Sequence, residues 1–209
     1  MIKGVTVQWP FVLLAAILLW PPLPLSVSLK KSVMSSRRNA SATVPLMMKC
    51  WQNWADLLRA GAGAYVLSTL AIQVDAKIKG ASTTALMLEG VVLGIGLILQ
   101  MFRIGRGIQF VAPIFYTCGL TLVLPGYVQG GFAVFVGFLF AIGGNRPAYL
   151  LPVMGVALAA VGLSLDSTLT LPLLLDCSLI GLPVLLAFLF QKPLAFVAKE
   201  WTLAPEASE

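Results

Sequence analysis

Residues 81–101 read ASTTALMLEGVVLGIGLILQM, an apolar run whose one charged residue is Glu89. At about 1.5 Å of rise per residue, a helix of this length matches the roughly 30 Å hydrocarbon core of a bilayer. Comparable runs lie at 5–29, 57–74, 108–124, 127–143, 149–165 and 168–190. Several are short. Arg59 intrudes on the run at 57–74, and only Pro125 and Gly126 separate 108–124 from 127–143, the spacing of a tight turn.

Composition agrees with the runs. Of 209 residues, 59% are hydrophobic and 11% charged, with a mean hydropathy of +0.94. Soluble domains average about 45–50% apolar and about 25% charged. The expected fold is therefore all-α: a polytopic transmembrane bundle of six or seven spanning helices with no soluble domain. It divides into a possible first transmembrane helix at 1–33, a basic cytoplasmic segment at 34–56, a six-helix bundle at 57–190 and a short cytoplasmic tail at 191–209.

The net charge of +6 lies between the apolar runs, as loop charge does in membrane proteins, so the lipid bilayer is the expected partner and nucleic acid is not. Histidine is absent, which excludes His-dependent membrane enzymes. Cys50, Cys118 and Cys177 share no short spacing that would build a disulfide or zinc framework. No nucleotide fingerprint occurs either, and neither a cofactor nor a metal is expected.

Orientation follows from lysine and arginine, which concentrate in cytoplasmic loops. Seven spans put Lys30, Lys31, Arg37, Arg38, Lys49, Arg59, Arg103, Arg106, Arg146, Lys192 and Lys199 on one side, and only Lys3, Lys77 and Lys79 on the other. The amino terminus is then outside and the carboxyl terminus cytoplasmic, with a bacterial inner membrane as the expected location. The first run also admits a signal-peptide reading, but export would leave Lys30, Lys31, Arg37 and Arg38 outside, against the charge rule. A start at Met34 would give six helices with every later loop on the same side, so the count stays open between six and seven.

After Pro45, the residues Met47, Cys50, Trp51, Trp54 and Leu58 recur at helical spacing, with Lys49, Gln52, Asn53 and Asp56 between them. Two readings stand: an amphipathic helix in the headgroup layer, or the wet first turns of the helix at 57–74. No repeat or inverted duplication is visible, which weighs against a transporter built from repeats.

A carboxylate inside a span is by default a candidate functional site, and Glu89 and Asp176 qualify. Each lies eight residues into its run from the outer side, roughly 12 Å deep, and neither has an arginine or lysine at that depth. On 81–101, Ser82, Ala85, Glu89, Gly96, Gln100 and Arg103 share one stripe, expected to face protein. Gly90 and Gly94 add a small-xxx-small spacing. On the last run, Pro183 frees the carbonyl of Leu179 less than a turn from Asp176, a polar node able to hold a proton or small cation, or to cross-bond helices structurally. Arg103, Arg106 and Arg146 sit beside glycines and form a candidate contact for a phosphate or lipid headgroup, with plain positive-inside anchoring as the alternative.

No catalytic residue is assigned. The sequence alone ranks a non-catalytic subunit of a larger membrane assembly first, meeting a membrane-protein partner or another copy of itself. A small transporter or ion-coupled permease using Glu89 and Asp176 comes second, and a lipid-modifying membrane enzyme third.

Overall fold

The structure is a computed structural model that describes residues 4–20, 44–75, 78, 80–104, 108–166 and 170–191. Among them the chain is mostly helical. In order come α1 (Trp9–Leu19), α2 (Val44–Lys49), α3 (Trp51–Tyr65), α4 (Ala81–Met101), α5 (Ile114–Thr121), α6 (Tyr127–Gly143), α7 (Leu150–Asp166) and α8 (Leu171–Leu189). A π-helical stretch, Val66–Ala71, continues α3, and a 3-10 turn, Pro147–Tyr149, leads into α7. Three helices are long and apolar enough to cross a membrane: Ala81–Met101, Pro147–Leu165 and Leu171–Leu189. Trp9–Leu19 and Tyr127–Gly143 are apolar but shorter. The basic stretch at 30–43, Arg106 and the tail at 192–209 lie outside the described residues.

Two short antiparallel ribbons interrupt what the sequence led us to read as helix alone. β1 (Val5–Val7) pairs with β2 (Ile72–Val74), and β3 (Phe102–Ile104) pairs with β4 (Ile108–Phe110). Both form where helices end, and each satisfies backbone groups that lipid cannot. The second ribbon shortens the helix expected over 108–124. Val111 N–H donates to the Met101 carbonyl at 3.0 Å, Pro113 follows with no N–H to give, and α5 starts only at Ile114.

Local chemistry sets the other boundaries. Pro10 sits in the first turn of α1, where its missing N–H costs nothing, and Trp20 is extended (ψ 147°) because Pro21 follows it. Trp51 to Ala71 run without a break, so the tryptophan-rich segment forms the first turns of the following helix. α2 precedes it separately, and its end is tied down by side chains of α3. Asn53 Nδ2 donates to the Met47 carbonyl at 2.7 Å and Trp54 Nε1 to the Met48 carbonyl at 2.8 Å. Asn53, read from the sequence as part of a wet face, is buried for this reason.

Two hydrophobic clusters meet on α5 and α8. One gathers residues of α2, α5, α6, α7 and α8; the other gathers α1, α3, the π stretch, α4, α5 and α8. Every residue of α5 is buried, so a helix apolar nearly all round is a core helix. Trp54, Phe115 and Phe138 link α3, α5 and α6, the first pair edge to face and the second tilted, with ring centres 5.6 and 5.9 Å apart. Close packing runs through small residues. A Cβ on Gly63 would meet Leu18 and Leu19 of α1, and one on Gly119 would overlap the backbone of α3.

Arg59 joins α1 to α3. Its guanidinium donates to the Trp20 carbonyl at the open end of α1 (2.5 Å) and pairs with Asp56 at 3.3 Å, both side chains being 18% exposed. Arg59→Met removes the pair and uncaps α1, a cost of about 2 kcal/mol, between exposed and fully buried pairs. The melting midpoint in detergent is expected to fall by about 4–8 °C. An unchanged midpoint would show that the pair contributes nothing.

Candidate functional site

Within a helix wholly enclosed by protein, polar side chains face other polar groups or go unsatisfied, and α5 carries Tyr116, Thr117 and Thr121. Thr117 bonds locally: its hydroxyl lies 2.7 Å from the Ile114 carbonyl and 3.2 Å from that of Pro113. Thr121, one turn on, reaches across to α8, where its hydroxyl donates to Asp176 Oδ1 at 3.3 Å.

Asp176 is fully buried, and its other oxygen, Oδ2, has no hydrogen-bond partner among the described residues. Its helix starts at Leu171, three residues later than the run in the sequence, with Pro172 in the first turn. Pro183 lies inside α8, leaving the Leu179 carbonyl without its helical donor, and both residues are buried beside this level.

Glu89 lies on the neighbouring helix at the same level. A Cβ on Gly90 of α4 would meet the Leu175 side chain of α8 at 2.7 Å, so the two helices touch there. With three helices between them, α4 and α8 run in the same direction. Successive helical residues turn by about 100°. The residue before Gly90 and the residue after Leu175 therefore project to one side of that contact, and these are Glu89 and Asp176. Glu89 is 7% exposed and has neither a hydrogen bond nor an ion pair among the described residues. The stripe read on α4 does face protein at Ala85, Glu89 and Gly96, while Ser82 is exposed. Gly90 packs closely but Gly94 has open space, so the small-xxx-small pair is half used.

Nearer the other end of the bundle, a cavity of about 30 Å³ lies between α3, α4 and the start of α5. Asn53, Asp56, Gln100 and Tyr116 line it together with Val111 to Phe115. Gln100 Nε2 and Tyr116 Oη are buried without partners among the described residues. The phenol has room because α4 carries Gly96 there, where a Cβ would come within 2.6 Å of the hydroxyl.

Of the three arginines read as a headgroup contact, Arg103 and Arg146 fall on different connections. Arg103 is in β3 opposite Gln109, Arg106 is outside the described residues, and Arg146 is exposed in the turn between α6 and α7. The glycines beside Arg146 have a structural use: a Cβ on Gly144 would strike the Tyr149 ring, and Asn145 turns the chain at φ 50°.

Sequence reasoning found the two carboxylates and missed Thr121, Tyr116 and the groups around the cavity. One signal was available. Thr117 and Thr121 stand four residues apart in an apolar run, which puts two hydroxyls on one helical face. Comparison with protein-family models, with curated proteins and with solved structures returned no match for this chain.

Proposed function

We propose that this chain is a multi-pass membrane protein that passes protons or small cations, with Asp176 as the group that takes them up and Glu89 beside it. The observation that carries this reading is the Asp176 carboxyl. It is fully buried among apolar helices, with one oxygen held by Thr121 and the other without a partner among the described residues. A purely structural carboxyl in hydrocarbon would need both oxygens satisfied to offset its cost, whereas a carrying group needs one free. Flux into proteoliposomes, compared between the native protein and Asp176→Asn, is the deciding measurement.

The sequence alone ranked a non-catalytic subunit of a larger assembly first, and the unused oxygen moves the weight to ion carrying. The two readings separate on extraction. A stoichiometric companion in native mass spectrometry, with no flux from the chain alone, would restore the subunit.

The topology proposed with this function has seven crossings, the amino terminus outside and the carboxyl terminus in the cytoplasm of a bacterial inner membrane. Its support is the charge asymmetry of the loops, with eleven lysines and arginines against three, and the packing of α1, whose Ala15 and Leu19 are fully buried. In a cysteine-free background, an impermeant thiol reagent added outside is expected to label Ile78→Cys and leave Arg103→Cys untouched. The reverse pattern would overturn the orientation.

A further inference from the structure

We propose that the cavity between α3, α4 and α5 holds water and is the entrance through which Asp176 exchanges protons with the side of the membrane bearing α2 and the β3–β4 ribbon, with Thr117 and Thr121 as the relay. This rests on the reading of Asp176 as the carrying group and names the route to it.

The cavity's volume of about 30 Å³ is room for one or two water molecules. Its wall supplies what such water needs. Gln100 Nε2 and Tyr116 Oη are buried and unpartnered among the described residues, Tyr116 being only 2% exposed, and Asn53 and Asp56 complete the polar lining. A buried donor left unmatched is costly, and water bridging two of them is the ordinary remedy.

From the cavity the polar line continues along one face of α5. Pro113 and Ile114 line the cavity, and their carbonyls accept the Thr117 hydroxyl. Thr121 follows about 6 Å further along the axis, so the proposed route requires one water between the two hydroxyls. Its hydroxyl contacts Asp176 Oδ1 at 3.3 Å. A hydroxyl both donates and accepts, so once the Thr117 hydroxyl turns from the Pro113 and Ile114 carbonyls each threonine can pass its own proton forward while taking one from behind. The net step moves one proton from a hydronium ion in the cavity to the Asp176 carboxylate, leaving a water there and both threonines unchanged. The titratable groups around Asp176 are Cys118 on α5, Cys177 on α8 itself and Glu89 across the α4 contact, while α7 presents none between Leu150 and Leu165.

The test uses the full chain in proteoliposomes, following the infrared carbonyl band that Asp176→Asn abolishes, after a pH jump. In Thr117→Val and Gln100→Leu the band is expected to keep its amplitude and to respond about tenfold or more slowly, and Thr117→Ser, which retains the hydroxyl, to restore the native rate. Native response rates in both apolar variants would overturn the route while leaving Asp176 as the carrying group. Equal slowing in Thr117→Ser and Thr117→Val would also overturn it, since packing alone would then set the rate. If the native protein has no titrating band that depends on Asp176, the proposed function itself fails, and this inference with it.

Discussion

Asp176→Asn is expected to cut ion flux through the reconstituted protein by about 100-fold while leaving the melting midpoint nearly unchanged. The magnitude follows from solvation: a charge crossing that level without a carboxylate meets the cost insertion scales assign to an unpaired charge, about 3 kcal/mol, and each 1.4 kcal/mol or so is tenfold in rate. Folding is spared because asparagine has the same shape and its Oδ1 still accepts the Thr121 hydroxyl. Glu89→Gln removes the second carboxyl at the same level and is expected to reduce flux in the same assay. If Asp176→Asn instead lowers the midpoint and leaves flux intact, the carboxyl is a helix-to-helix strut and the ion-carrying reading fails.

Gly119→Val is expected to be among the most destabilising single changes in the described helices. A Cβ there would overlap the Leu57 carbonyl oxygen and come within 3.0 Å of Ala60 Cβ and the Gly61 nitrogen. These neighbours are mostly backbone of α3, which cannot rotate away as a side chain can, so α3 and α5 must separate. Overpacking costs about 1–3 kcal/mol and sometimes more, and contact against backbone belongs at the upper end. At about 2–4 °C per kcal/mol, the midpoint should fall by roughly 6–12 °C. Gly130→Val acts alike on α6, since a Cβ there would overlap the Thr121 carbonyl oxygen. Gly181→Ala is the control: nothing lies within 4 Å, and the helix should gain slightly. Equal losses at Gly119 and Gly181 would mean that glycine content, and not this contact, sets stability.

Length and hydropathy made α4, α7 and α8 legible in the sequence, and Pro125-Gly126 marked its turn, where Gly126 takes φ 97°. The strands were not legible. Three residues such as Val5–Val7 are too few to show a period, and their pairing depends on Ile72–Val74, far along the chain. α5 looked longer because Ile108 and Phe110 extend the apolar run that precedes it, and only Pro113 hinted at the break. Glu89 and Asp176 stood out because a carboxylate in an apolar run is conspicuous in one dimension. Their surroundings did not, for Asn53, Asp56, Gln100 and Tyr116 come from three separate segments and meet only once α3, α4 and α5 are packed.

The ribbon between β1 and β2 also bears on how the chain assembles. α1 has 11 residues and is about 16 Å long, little more than half the hydrocarbon thickness. Its outward extension, β1, has no hydrogen-bonding partner until Ile72–Val74 have been synthesised. A helix released into lipid at that stage would leave strand backbone unpaired in hydrocarbon. We expect α1 to settle in the bilayer only once α3 has been made, because the two then form a hairpin clasped by β1–β2 at one end and by Arg59 on the Trp20 carbonyl at the other.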